Sequence, residues 1–403
     1  MTQALQGVRI LDMTRVLAGP LAAQVLADLG ADVIKVERPQ AGDDSRGWGP
    51  PFQRDRDGNE LPDSLYFLCC NRGKRSVTVD LAHPQGQTLI RHLAGQCDVL
   101  MENYKVGDLE RYGLGYAALS ALNPRLIYCS ITGFGQDGPY AKRPGYDPVV
   151  QAMGGLMSVT GERDSPPQRV GVAVTDTTTA LYAVIAIQAA LRHRDLTGEG
   201  QRIDLALLDV QMASMINVAQ AYLSAGQVGE RNGNPHPSVM PSQSYPCSDG
   251  LVMLAAGNDG QFRKLCEALG ATELARDARF QTNSERFANR DALNALLEAI
   301  TRQHTTAQLT EKLSACGVPC GPVQSIAQAF ADPQVRHREI EVKLPDDRLG
   351  QVSVVASPLR LSGSPVRYDR APPALGVHTD EVLTTVANLS AEQIGALRAA
   401  KAI

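Results

Sequence analysis

Val8-Arg9-Ile10-Leu11-Asp12-Met13-Thr14-Arg15-Val16-Leu17-Ala18-Gly19-Pro20, running on through Leu21-Ala22-Ala23-Gln24-Val25-Leu26-Ala27-Asp28-Leu29-Gly30-Ala31-Asp32-Val33-Ile34-Lys35-Val36-Glu37, is the stretch whose reading decides the fold. Val8–Leu11 is a short apolar strand. Met13–Pro20 is a loop with Gly19-Pro20 as its turn signal. Leu21–Leu29 has a helical pattern that Gly30 stops, and Val33–Val36 is the next strand. This is a βαβ unit, and its alternation continues outward. Ser76–Val79 reads as a strand and Pro84–Gly95 as a helix, with Pro tolerated in the first turn. Val99–Met101 and Leu126–Ile131 supply further strands. Strands alternating with helices predict an α/β fold with a parallel sheet covered on both faces.

Beyond this, Thr177–Leu191 reads as a well-buried helix, Ile203–Leu208 as a strand and Asp209–Ala225 as one helix. Gly226–Pro246 is dense in Gly, Asn, Pro and Ser, and is expected to be a long connection. Leu251–Ala256 starts a second lobe, with helices near 261–269, 290–303 and 306–316. Ile340–Leu344 and Val352–Val355 are candidate strands, 365–376 is Pro-rich and extended, and Ala391–Ala399 is a terminal helix. The expected boundaries are a large domain over 1–225, a linker over 226–246, a small domain over 247–330 and a final segment over 331–403.

Composition narrows the classes. Of 403 residues, 43% are hydrophobic and 20% charged, so a packed core is feasible. Lys and Arg total 39 against 43 Asp and Glu, a net charge of −4, which argues against general nucleic-acid binding. No apolar run approaches the roughly 18 residues of a membrane span, and Met1–Gly7 lacks the pattern of a secretory signal. The eight cysteines form no C-x-x-C pair, and Cys316 and Cys320 have no histidine near them, so no metal site is expected. A reduced, cytoplasmic globular enzyme or binding protein is the expectation.

The first turn lacks G-x-G-x-x-G, so the backbone cannot approach a pyrophosphate as dinucleotide folds do, even though Glu37 ends the second strand where an acid would take a ribose hydroxyl. No Walker loop or G-x-S-x-G elbow is present. Basic residues instead cluster in short loops: Arg38, then Arg72, Lys74 and Arg75, then Arg111, then Lys142 and Arg143. They are either a solvated surface or cations converging at the carboxyl ends of parallel strands, which suits a multiply phosphorylated ligand. Asp176 opens the helix at Thr177. It is either an N-cap or an ionised carboxylate that can serve as a nucleophile. Gly257-Asn258-Asp259-Gly260 is either an ordinary turn or a loop that moves over a site.

Over nearly its whole length the sequence resembles the class III CoA-transferases, the group that includes formyl-CoA and carnitine CoA-transferases and has the α-methylacyl-CoA racemases as relatives. The resemblance rests on Leu5–Asp12, Arg15–Pro20, Gly30–Pro39, Lys74-Arg75-Ser76, Glu102-Asn103-Tyr104, Thr132–Tyr140, Gly317–Val323 and Gly376–Leu383. It implies an open, mostly parallel Rossmann-like sheet in a large domain built from N- and C-terminal segments. A smaller α+β domain and an interlocked homodimer complete the implied architecture. The substrates implied are a coenzyme A thioester and a small carboxylate, with no permanently bound cofactor, nucleic acid or membrane.

By the same resemblance Asp176 is the nucleophile, which forms a mixed anhydride and then an enzyme–CoA thioester. CoA contacts carry over to Arg38, Lys74, Arg75, Asn103, Arg111 and Lys142, with Val16, Leu17 and Tyr146 near the pantetheine arm. Gly257, Asn258 and Gly260 are oxyanion candidates, although the segment is less glycine-rich than in formyl-CoA transferase. Leu17 stands where that enzyme has glutamine, which argues against formyl/oxalyl exchange. The racemases carry G-H-D where this chain has Gly145-Tyr146-Asp147, and a phenol of ordinary pKa about 10 is a poor substitute for histidine as a second base. Gly42–Arg46 with Trp48–Phe52, and Tyr128–Gly133, are similar to the succinyl-CoA:glutarate branch, which moves CoA between small dicarboxylic acids. Arg15 and Arg169 are candidates for the distal carboxylate, each with a structural salt bridge as the alternative. A non-catalytic CoA-binding protein is the competing class, in which Asp176 would be dispensable.

Overall fold

The computed structural model describes residues 2–403. It divides into two compact units: residues up to 156 with 170–220 and 336–403, and residues 157–169 with 221–335.

In the first unit β1 (Arg9–Asp12), α1 (Ala18–Asp28) and β2 (Asp32–Glu37) form the expected βαβ unit. The helix starts earlier than expected, because Pro20 fits a first turn whose N–H groups have no intrahelical partner. A hairpin of β3 (Phe52–Arg54) and β4 (Glu60–Ser64), then the single turn α2 (Leu65–Leu68), precede β5 (Lys74–Thr78). There follow α3 (Pro84–Gly95), β6 (Val99–Glu102), α4 (Asp108–Arg111), α5 (Tyr116–Leu122) and β7 (Ile127–Thr132). Next come α6 (Asp147–Met153), α7 (Val174–Thr197) and β8 (Arg202–Ala206). In place of one helix over 209–225 there are two, α8 (Leu207–Ser214) and α9 (Ile216–Ala225). The break falls at Ile216, whose φ of 36° lies outside the helical region.

The six strands pair in the order β5-β2-β1-β6-β7-β8, all parallel. This is the doubly wound order, in which the chain reverses direction between β1 and β6. Ala22, Ala23 and Leu26 of α1 and Ala183, Val184 and Ile187 of α7 cover one face. Leu89, Ile90 and Leu93 of α3 cover the other. Against the expectation from uninterrupted apolar runs, α7 is by length and composition long and apolar enough to cross a membrane. Its inner residues belong to the sheet's core.

The second unit contains β9 (Ser242–Pro246), β10 (Leu251–Ala255), α10 (Asp259–Ala268), α11 (Asn283–Ala288), α12 (Arg290–Thr301), α13 (Thr306–Ala315), β11 (Cys320–Pro322), α14 (Ile326–Ala331) and the first three residues of α15 (Pro333–His337). Its strands form an antiparallel sheet in the order β11-β10-β9. Leu254, Phe262, Leu297 and Leu309 meet in its core. The fully buried Arg286 donates to the carbonyls of Met240 and Phe280, pairs with Asp259 at 2.8 Å and lies over the Phe262 ring.

Two expected boundaries are corrected. Part of the linker, 242–246, is a strand, whose Ser-Gln-Ser-Tyr-Pro composition hides it from a search for apolar runs. Residues 157–169 group with the second unit rather than with 1–225, and the Gly233 N–H donates to the Gly161 carbonyl there. The chain then returns through the hairpin of β12 (Glu341–Asp346) and β13 (Gly350–Val355) to α16 (Thr379–Thr385) and α17 (Ala391–Ala399). Val382, Leu383 and Ile394 complete the core over α3, so N- and C-terminal segments do build one unit.

Candidate active site

A cleft opens at the carboxyl ends of β1, β6 and β7, where open α/β sheets bind ligands. One wall is the loop after β1, Arg15-Val16-Leu17, which is pinned from two sides. Asn103, just past β6, accepts the Arg15 N–H at 2.9 Å and donates to the Arg15 carbonyl at 2.7 Å, bridging the point where the sheet reverses. Asp43 accepts the Val16 N–H at 3.1 Å. Val16 has φ of 73°, unusual for a β-branched residue, and the two anchors hold it there. Asp43 is in turn held by Lys35 at 2.8 Å. Burial opposes its charge, yet Lys35 and the Ser45 hydrogen bonds bring its carboxyl down to about 2. The opposite wall is the 141–146 loop. A Cβ on Gly133 would lie 2.7 Å from the Gly145 α-carbon, so both positions need glycine for this approach.

Asp176 lines the cleft floor. It is the third residue of α7, not its N-cap, which is Ala173. Among the described residues no group donates a hydrogen bond to its carboxylate. The expectation that the helix dipole keeps it readily ionised is corrected: burial first, and the charge of Asp147 second, push its carboxyl up to about 7. A partly buried carboxylate without hydrogen bonds and with raised basicity is suited to nucleophilic attack.

Of the other residues singled out in the sequence, Arg15, Val16, Leu17, Asn103, Lys142 and Tyr146 meet at this cleft. Lys74 and Arg75 do not. Lys74 is fully buried, with its ammonium donating to Asp12 at 2.9 Å, the Pro20 carbonyl at 2.8 Å and Asn71 at 2.8 Å. Arg75 is buried against Asp32 and Glu381. Both hold the sheet together and present no free face to a phosphate. Glu37 is likewise engaged, by Arg46 at 2.7 Å. Arg38 is exposed and pairs at 2.6 Å with Asp44, itself at the cleft. Arg111 is exposed, off the cleft lining, and pairs with Asp108.

Arg169, exposed, and Gly257–Gly260 belong to the second unit. The Gly257 N–H, an expected oxyanion donor, already donates to Gln261 at 2.7 Å. The Asn258 side chain caps α10, and Gly260 is inside that helix, so the segment is a helix start rather than an open loop.

Sequence reasoning did not single out Lys105, Asp44 or Asp147. Lys105 follows the Glu102-Asn103-Tyr104 motif directly, and that adjacency could have shown it. Asp44 pairs with Arg15 at 2.7 Å across 29 positions, a contact no local pattern announces.

The chain is thus a doubly wound α/β protein with a charged cleft at the carboxyl ends of its strands, and comparison with known proteins gives its class. The chain belongs to CoA-transferase family III, whose profile matches residues 5–379, and it is a CoA-transferase. It is 48% identical over 379 residues to the succinate–glutarate CoA-transferase of Agrobacterium fabrum, covering 94% of each chain. It is 42% identical over 396 residues to the human succinyl-CoA:glutarate CoA-transferase, covering 98% of this chain and 89% of the relative. The solved structure of a CAIB/BAIF family protein from Brucella suis superposes with a TM-score of 0.87 at 48% identity, over 96% of this chain and 100% of that one.

The raised carboxyl of Asp176 has a measurable sign. The folded state binds this proton more tightly than the unfolded chain does. The cost to stability therefore grows as pH rises from about 4 to about 7 and is complete above that. Asp176→Asn should melt several degrees above the wild type near pH 8, and the gap should close as pH falls toward 4. Melting curves across that range check it, and a gap that is constant with pH contradicts the assigned environment.

Proposed function

We propose that the enzyme transfers CoA from succinyl-CoA, or a similar dicarboxylyl-CoA, to a second small carboxylic acid through covalent Asp176 intermediates. The observation that carries this is the Asp176 carboxylate, unbonded and raised to about 7, in the cleft at the sheet's reversal point. The Asp176 carboxylate attacks the thioester carbonyl, and CoA thiolate leaves, giving a mixed anhydride. The thiolate attacks the Asp176 carbonyl of that anhydride, giving an aspartyl–CoA thioester and the free donor acid. The acceptor carboxylate attacks this thioester and expels the thiolate again. Attack of the thiolate on the acceptor's acyl carbonyl yields the new acyl-CoA and regenerates Asp176. One difficult exchange becomes a series of easier acyl transfers.

CoA would lie along Val16, Leu17, Asn103, Lys142 and Tyr146, with Lys105 and Arg143 as further phosphate partners and Arg38 and Arg111 as exposed cations. Lys142 and Arg143 suit phosphate by charge. The activities of these relatives support dicarboxylates as donor and acceptor. Arg15 is the better placed of the two arginine candidates, stacked 5.1 Å over Tyr104 and lining the cleft. Its Nε is buried without a partner, a donor that a carboxylate would satisfy. Among the described lining residues there is no histidine, so racemisation has no imidazole to serve as its second base. An interlocked homodimer is part of the proposal. It is supported by exposed Leu181, Tyr182 and Ile185 on α7 with Met212 and Ile216, an apolar surface suited to a second copy.

Labelling, acceptor kinetics and sedimentation each have an expected outcome. Incubation with succinyl-CoA should leave a covalent adduct on the peptide carrying Asp176. Asp176→Asn should lose the adduct and drop turnover by orders of magnitude while remaining folded, whereas near-wild-type transfer by this variant would overturn the mechanism. Succinate should outcompete butyrate as acceptor, and Arg15→Ala should raise the acceptor KM for succinate by roughly tenfold or more. An unchanged KM removes Arg15 from that role. Sedimentation at low micromolar concentration should give twice the chain's 43.2 kDa, and a single species at 43.2 kDa would rule out the dimer.

A further inference from the structure

Beneath Asp176 lies a buried polar cluster that the transfer chemistry leaves unused. Its centre is Asp147, the first residue of α6 and the last of the Gly145-Tyr146-Asp147 segment. One carboxylate oxygen of Asp147 accepts the Thr175 N–H at 2.9 Å and the Asp176 N–H at 3.3 Å. The other accepts from the Gln151 amide at 2.6 Å. Helix α7 has no capping side chain of its own, because its N-cap is Ala173. The amides of its first turn are therefore capped by a neighbouring helix. The Gln151 carbonyl oxygen accepts the Val170 N–H at 2.9 Å, on the segment leading into α7. The Thr175 hydroxyl donates to Gln211 of α8 at 2.6 Å. Asp147, Gln151, Thr175 and Gln211 are all buried. They lock three helices at the point where Asp176 emerges.

We infer that Asp147 is a positioning residue for this reaction: by holding the first-turn amides of α7 it fixes where the Asp176 carboxylate stands in the cleft. The inference rests on Asp176 being the nucleophile. A serine or threonine in place of Ala173 could cap the same amides, but only a carboxylate also sets a negative charge beside Asp176. That charge adds to burial in keeping the Asp176 carboxyl basic. The groups facing Asp176 come from several elements. Asp147 stands on α6, and Tyr66 on α2 is raised to about 12 by burial and by the charge of Asp176. Arg15 comes from the loop after β1 and Lys105 and Tyr104 from the loop after β6. Lys142, Arg143 and Tyr146 come from the loop before α6, and Asp44 sits against Arg15. Burial and the Asp147 charge together raise the pH at which the Asp176 carboxylate becomes available. Glu102, also raised to about 7 by burial, would titrate in the same window. The test must therefore move the limb by changing Asp147.

The experiment is the single-turnover acylation of the full-length enzyme by succinyl-CoA, read by intact mass across pH 5 to 9. Asp147→Asn keeps an acceptor oxygen and removes the charge. Its acidic half-maximum should fall by about one pH unit, with a lower plateau. Thr175→Val leaves the charge and cuts the tie to Gln211, so it should lower the plateau with the half-maximum in place. An unmoved half-maximum in folded Asp147→Asn overturns the proposal, since a purely structural role would change only the plateau. If circular dichroism shows that Asp147→Asn does not fold, Gln151→Met carries the test. It frees one Asp147 oxygen and should slow acylation several-fold, and a wild-type rate overturns the proposal. A wild type with no adduct on Asp176 brings down the nucleophile assignment and this inference together. A labelled wild type with an unmoved Asp147→Asn half-maximum brings down this inference alone.

Discussion

Lys35 and Asp43 meet at 2.8 Å with neither side chain exposed, and the shape of the cleft depends on that pair. Two full charges in the interior are stable only while they stay together. Removing one partner from such a pair typically costs about 3–5 kcal/mol. The pair therefore fixes the distance between β2 and the segment that follows it. Asp43 has capacity to spare, and it takes the Val16 amide as well as Ser45. Lys35 also donates to the Thr14 carbonyl at 3.0 Å. The loop after β1 is thus tied on both sides of Arg15. A backbone such as that of Val16 costs about 1–3 kcal/mol to hold, and this ionic anchor is what can hold it. A second buried pair, Lys74 with Asp12, fastens β5 to the end of β1. Next to the loop after β1 lies a layer of matched, fully buried charges.

That layer explains what the sequence revealed and what it hid. The βαβ opening, the helix over Pro84–Gly95 and the terminal helix over Ala391–Ala399 were legible because each has a local pattern and a local stop signal. Strand β9 was not, because only Ser242, Gln243 and Tyr245 are buried in a polar five-residue stretch. Among site residues, Arg15, Asn103, Lys142, Tyr146 and Asp176 do gather at the cleft. Lys74 looked like a phosphate ligand because a lysine in a basic loop is the same letter whether it faces water or a carboxylate. Its partner, Asp12, is 62 positions away. Asp147 escaped notice for a related reason: its role is to accept amides 28 and 29 positions later.

The electrostatic design has a common logic. Charges that hold the fold are paired and dry, as with Glu37, Arg46 and Asp63. Asp176 alone among the acids on the cleft floor is left with a like charge as its neighbour and no hydrogen-bond donor on its carboxylate. Glu102 is also raised to about 7 by burial, but Ser130 and a hydrogen bond from the Tyr104 N–H lower it in part, whereas nothing offsets burial and the Asp147 charge at Asp176.

The contact between Gly133 and Gly145 has a consequence for how this surface can vary. Two bare α-carbons work there as a hinge pin without a head: they let Gly145 approach the end of β7, where the Phe134 ring also lies against it. Lys142, Arg143 and Tyr146 stand on the cleft-lining segment whose approach to β7 this contact sets. One added methyl group at either glycine would raise the whole loop, whatever letters it carried.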